Sequence, residues 1–281
     1  MIRADRLATL YLFHQLRRRC PLRRSPRIPI LMYHSISQHH SNGAHPYFET
    51  ATSPRVFADH MKFLSEHGYR ALQLAEAARY IESGQKPSDP SVVLTFDDGF
   101  QDFSAHAFPV LERYRFTATV FLPTGYIVNE RGRFNKRDCL TWHEVRELDA
   151  SGVTFGSHTV THPQLALLGA DDVEHEVRRS KETIEDQLGH PVDSFSYPFA
   201  FPEADGRFRA QLQAVLAARG YRQGVTTVVG TAGARNNAFF LPRLPISDCD
   251  DLRLFQAKLE GGYDWLHPVQ YAFKLAKFEF S

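Results

Sequence analysis

Short apolar runs that end abruptly in polar residues alternate with segments of helical spacing along most of the chain, and this alternation limits its fold more than any other feature. The runs are Ile28 to His34, Val92 to Phe96, Ala118 to Leu122, Val153 to Ser157, Phe195 to Tyr197, Gly224 to Val229 and Phe240 to Ile246. Continuous apolar runs of this length read as strands covered on both faces. Between the first two, Ser53-Pro54 supplies an N-cap and a first-turn proline, Phe57, Met61 and Leu64 fall at helical spacing, and Gly68 closes the element. Phe108 to Tyr114, Thr141 to Leu148, Asp171 to Leu188 and Phe208 to Arg219 read as further helices. The Asp171-Asp172 pair suits the positive end of a helix dipole. Strand and helix in alternation imply parallel strands with crossover helices, and a barrel is the natural closure. The expectation is an α/β chain with one barrel domain at residues 28–250. A basic arm at 1–27 precedes it, and a C-terminal extension at 251–281 packs on it. The 281 residues are close to the roughly 250 that such barrels use as one domain. Residues 82–90 read as a surface loop, and 38–52 as a long polar loop of the kind that often carries function.

Charge excludes one class of partner. With 33 Lys plus Arg against 32 Asp plus Glu, the net charge of +1 gives no field to hold nucleic acid. The imbalance is local: Arg3, Arg6, Arg17, Arg18, Arg19, Arg23, Arg24 and Arg27 face only Asp5 in the arm. Leu7 to Phe13, between them, is too short to span a bilayer. It runs into Arg17-Arg18-Arg19 where a cleavage site would need small residues, so no cleavable signal is read. The arm is then either a solvated tail or surface helix, or a weak membrane-surface contact through apolar and basic faces. The expected location is cytoplasmic, at most peripheral to a membrane. Cys20, Cys139 and Cys249 are odd in number and scattered, which reads as reduced structural thiols.

The chemistry concentrates at strand ends. Thr95-Phe96-Asp97-Asp98-Gly99 ends an apolar strand in two carboxylates and a glycine, and parallel barrels place their reactive groups at the C-terminal ends of strands. Adjacent acids repel unless a cation or hydrogen bonds relieve them. A second strand runs into Ser157-His158-Thr159-Val160-Thr161-His162, whose two imidazoles, four apart, project to one side of a helical turn. Together these segments offer a carboxylate and two imidazoles to a divalent ion, with one further carboxylate free as a base. The donor set suits Zn²⁺, with Co²⁺ or Ni²⁺ as alternatives.

On these residues the sequence resembles the polysaccharide deacetylase family, also called the NodB-homology group or carbohydrate esterase family 4, over roughly Pro29 to Ile246. The resemblance implies a distorted (β/α)7-type barrel and hydrolysis of N-acetyl groups on hexosamine glycans. It implies Asp97 as the general base, and Asp98, His158 and His162 as metal ligands. Phe195-Ser196-Tyr197-Pro198-Phe199 is similar to a third family motif, which implies that the Phe199 N–H helps hold the oxyanion. The arginine commonly found before that turn is replaced here by Ser196-Tyr197, and the resemblance then points to Arg243 as the residue orienting the base. No Leu-x-His motif supplies the general acid. His34, at a strand end in Met32-Tyr33-His34, and His267, in Trp265-Leu266-His267, are the candidates, and Met-Tyr-His resembles the branch acting on exported β-1,6-linked glucosamine polymers.

Several weaker candidates remain. His39, His40 and His45 crowd the long loop and read as surface residues or substrate contacts. Tyr47, Phe48, Tyr126 and Trp142 read as packing or as stacking faces for sugar rings. The expected function is metal-dependent N-deacetylation of an N-acetylated glycan, with a place in exopolysaccharide biosynthesis. The rivals are an amidohydrolase of the same fold acting on a small non-sugar amide, and a non-catalytic glycan-binding barrel.

Overall fold

The computed structural model describes residues 3–19, 26–38 and 50–278. Seven strands close into a parallel barrel: β1 (Ile30–Tyr33), β2 (Ser91–Phe96), β3 (Thr119–Leu122), β4 (Thr154–Ser157), β5 (Ser194–Ser196), β6 (Gln223–Val229) and β7 (Leu241–Pro245). Each pairs with its neighbour in chain order, and β7 returns to β1 with Leu244 opposite Leu31. Every residue of β2 is buried, as expected for a strand walled by side chains inside and by helices outside. The barrel is distorted, because a register shift between Val225 and Val229 interrupts the β6–β7 ladder.

Helices α1 (Pro54–Glu66), α2 (Leu74–Ser83), α3 (Phe108–Tyr114), α4 (Trp142–Ala150), α5 (Ala170–Leu188), α6 (Gly206–Ala218), α7 (Leu252–Leu259) and α8 (Leu266–Phe278) cover the barrel. Local chemistry explains their starts. Ser53 accepts the Val56 N–H ahead of Pro54, and Thr141 and Glu144 form a reciprocal capping box on α4. Asp205 and Asp251 cap α6 and α7. Helix α2 was not read from the sequence, although Leu74, Ala77, Ala78 and Ile81 carry helical spacing and are all buried. Small residues made that stripe inconspicuous. Strand β1 is also shorter than expected, since Arg27–Ile28 leaves the barrel to pair antiparallel with Ala232–Gly233.

Residues 4–19 of the arm form a helical segment, Ala4–Ala8 and His14–Arg19 joined by a π-helical turn at Thr9–Phe13. It lies against the C-terminal part of the chain: Phe13 stacks on Trp265 at 4.7 Å, and the indole N–H of Trp265 donates to Thr9. Cys139 is buried and Cys249 half-buried, both as free thiols, whereas Cys20 lies outside the described residues. His39, His40, His45, Tyr47 and Phe48 also lie outside them.

Candidate active site and metal centre

The barrel topology brings the sequence candidates to one end. Asp97 and Asp98 follow β2, His158 and His162 follow β4, Phe199 follows β5, His34 follows β1, and Arg243 sits within β7. All but Arg243 therefore leave the C-terminal ends of their strands.

One carboxylate oxygen and two imidazole nitrogens converge there. The Nε2 atoms of His158 and His162 lie 3.5 and 3.4 Å from Oδ1 of Asp98, and one ligand atom from each residue falls within a 4.8 Å span. Two ligands held about 2.1 Å from a tetrahedral ion are themselves about 3.4 Å apart, so the spacing is that of a first-row cation site. The Oδ1 atom of Asp98 is also buried without a hydrogen-bond partner, a costly state that a cation relieves. On both counts the residues fit a divalent ion.

The imidazoles are prepared for this role. Nδ1 of His158 donates to the Ser196 carbonyl at 2.8 Å, which orients the ring and turns Nε2 toward Asp98. Burial pushes His162 down to about 4, helped by the neighbouring His158, so its ring is neutral at physiological pH. Burial also opposes charge on His158, but Asp97 and Asp98 outweigh it and raise its affinity for a proton. A cation would displace that proton on binding.

Asp97 is held differently. Arg243, with a fully buried side chain, grips it with two parallel bonds, Nη1 to Oδ1 at 2.8 Å and Nη2 to Oδ2 at 2.7 Å. The remaining guanidinium donors reach the Thr226 carbonyl at 2.9 Å and the hydroxyls of Thr95 and Ser196 at 3.2 and 3.1 Å. Burial alone would raise the Asp97 carboxyl, but the Arg243 and His158 charges hold it well below the usual carboxylate range. His34 completes the group, with Nε2 3.9 Å from Oδ2 of Asp97 and a partly exposed ring. Asp102 fixes the segment after His34, accepting the Ile36 N–H at 3.1 Å and the Ser35 hydroxyl.

Backbone strain marks the same place. Asp98, Thr159, His162 and Phe199 all have positive φ, at 71°, 68°, 56° and 57°. Such a conformation is unusual for non-glycine residues and most costly for β-branched Thr159. Gly99 continues the left-handed turn at φ 58°, where a Cβ would meet the Leu122 side chain at 2.8 Å. Part of the strain is offset by Glu176, which sequence reasoning missed. This buried acid on α5 accepts the N–H groups of Val160 and Thr161 at 2.7 and 2.9 Å and the Thr161 hydroxyl at 2.7 Å, holding the loop that carries both imidazoles. Glu176→Ala is expected to weaken Zn²⁺ affinity by about 10–100-fold with the fold retained. Calorimetric Zn²⁺ titration of the chelated variant checks this, and parent-like affinity would dismiss the role.

Other candidates separate cleanly. The Phe199 ring is half exposed and meets His162 edge-on at 4.6 Å, and its N–H makes no backbone hydrogen bond among the described residues. Tyr126, partly exposed, packs on the buried Phe134 at 4.6 Å, and Phe134 packs on His162 at 5.0 Å. Trp142 is buried in the core instead. His267 is bound to Glu203 at 2.8 Å and lines a cavity of about 310 Å³ that includes none of Asp98, His158 and His162.

Comparison with known proteins identifies the family. The family model described as polysaccharide deacetylase matches residues 84–223. YxkH of Bacillus subtilis, provisionally described as a polysaccharide deacetylase, is 31% identical over 235 residues, covering 84% of this chain and 77% of its own. The chain belongs to the polysaccharide deacetylase family. It is accordingly a hydrolase of non-peptide carbon–nitrogen bonds. The Streptococcus pyogenes deacetylase PplD, solved in complex with acetate, superposes with a TM-score of 0.72 at 28% identity, covering 84% of this chain and 99% of that one. IcaB from Ammonifex degensii shares the fold, with a TM-score of 0.68 at 22% identity over 84% and 97% of the two chains. A poly-β-1,6-N-acetyl-D-glucosamine N-deacetylase of Staphylococcus aureus is 24% identical over 207 residues, 70% of this chain and 68% of its own.

Proposed function

We propose that this family member hydrolyses the acetamide of N-acetylhexosamine units in an oligo- or polysaccharide, releasing acetate and leaving a free amine. The observation that carries the reading is a charged, arginine-held carboxylate, Asp97, set beside three convergent donors for a cation at the open end of the barrel. Asp98, His158 and His162 would hold that cation, with Zn²⁺ the best match to the donors and Co²⁺ or Ni²⁺ acceptable. A divalent ion there supplies Lewis acidity, drawing electron density from a carbonyl oxygen and making water a better nucleophile.

The chain's own groups then have distinct tasks. Asp97 takes a proton from the attacking water, and Arg243 keeps its carboxylate ionised and aimed. The Phe199 N–H offers a fixed dipole to the oxygen on which charge develops, worth on the order of 3 kcal/mol for a well-placed donor. The carbon–nitrogen bond breaks as the amine gains a proton, which His34 would give; its ring is partly exposed and 3.9 Å from Asp97. The half-exposed Phe199 ring and the partly exposed Tyr126 offer apolar faces to a sugar ring. The polymer-directed relative from S. aureus makes β-1,6-linked N-acetylglucosamine chains the first substrate to try, and production of an exported polysaccharide the first setting.

Acetate release is measured over defined β-1,6-linked and chitin-type oligosaccharides and small acetamides, after chelation and after metal is restored. Release from the oligosaccharides only when metal is present supports the proposal. Release from small amides alone, or none from any glycan, would refute it.

A further inference from the structure

The N-terminal helical segment is amphipathic in the reverse of the usual sense. As far as Arg17, its charged residues pair with acids and a tyrosine of the protein body or with one another. Arg6 pairs with Asp251, His14 with Glu260 at 2.7 Å and Arg17 with Asp264 at 3.1 Å, while Asp5 accepts from Arg3 and from the Tyr263 hydroxyl at 2.7 Å. The outward face is Ala4, Leu7, Tyr11, Leu12, Gln15 and Leu16, all exposed and none charged. Leu7, Tyr11, Leu12 and Leu16 are 43, 63, 51 and 52% exposed, where a water-facing helix would place its ions. Arg18 and Arg19 follow directly and are exposed as well, with Arg23 and Arg24 next in sequence.

We infer that this face docks on an anionic lipid surface, the apolar side chains entering the headgroup boundary and the arginines meeting lipid phosphates. Charge selects this occupant over a second copy of the chain. A purely apolar face would serve either, but the adjacent Arg18 and Arg19, which form no ion pair among the described residues, repel their own image in a dimer and are attracted to a negative surface. The ion pairs behind the helix hold it to the body, so the face is displayed without the helix having to unfold from the protein. Among the described residues no helix is long and apolar enough to cross a membrane, and the contact lies on the surface.

The full chain is tested by co-sedimentation with vesicles of phosphatidylcholine containing phosphatidylglycerol, and with phosphatidylcholine alone. Binding to the anionic vesicles that weakens as ionic strength rises is the expected result. Arg18→Gln with Arg19→Gln should lower partition by about fivefold per arginine. Leu12→Gln with Leu16→Gln should lower it by roughly tenfold or more. These side chains are exposed, so melting temperature should not move in either variant. Absence of binding, binding unaffected by both pairs of substitutions, or a lipid-independent dimer that the leucine pair dissolves would each overturn the inference.

Discussion

Asp97→Asn is expected to lower acetate release by about 10²–10⁴-fold while the protein still binds one equivalent of metal. The substitution leaves size nearly unchanged and removes the charge that takes the proton, which is also the counter-ion of Arg243. The donors that would bind the ion belong to Asp98, His158 and His162, so the loss should fall on turnover and not on occupancy. His158→Ala is the counterpart, since removal of a ligand should lower both together. An Asp97→Asn enzyme with parental turnover would eliminate Asp97 as the base. One with neither metal nor activity would mean that the two neighbouring carboxylates do not divide the work.

The second large effect is on stability. Arg243→Met is expected to destabilise the fold by about 3–5 kcal/mol, because it leaves the Asp97 carboxylate buried without its counter-ion. For a chain of this size the melting temperature should fall by roughly 6–20 °C. Arg243→Lys should not restore the parent, since an ammonium lacks the planar fork that meets both oxygens of Asp97 while also reaching Thr226. In the double variant Asp97→Asn with Arg243→Met, the stability loss should be smaller than for Arg243→Met alone, because no buried charge is stranded. Additive losses in the double variant would contradict the pairing. Activity should fall in every one of these variants, which separates them from the membrane-face substitutions.

The barrel was legible because its strands are apolar throughout and end in chemistry. Val92 to Phe96 could hardly be read otherwise, and the acids after it had to be at the strand's outlet. Arg243 was legible only through the family resemblance, which pointed to a late arginine once Ser196-Tyr197 stood where the commoner one is found; that it is fully buried was not. Glu176 was not. It lies in a helix that also carries Glu174, Glu182 and Glu185, and only packing distinguishes it. Its position three residues after buried Val173 and one before buried Val177 was the available sign that it faces inward.

The left-handed residues were invisible for a different reason. Thr159 and Phe199 carry no local signal for positive φ and Asp98 and His162 only a weak one, while the loop of Thr159 and His162 is held by Glu176 from a helix elsewhere in the chain. The arm shows the limit of composition. Eight arginines against one acid said that the segment is basic, but not that its central charges turn inward to Asp251, Glu260 and Asp264 and leave leucines outside. That reversal depends on acids more than 200 positions away, which no window on the sequence contains.

The account depends on one cation being shared by Asp98, His158 and His162. Crystals grown with Zn²⁺ and measured at the zinc absorption edge test this directly. The expected result is one strong anomalous peak about 2.0–2.2 Å from an Asp98 oxygen and from a nitrogen of each imidazole. A map with zinc bound only elsewhere, or with those three side chains directed away from one another at full metal loading, would contradict it.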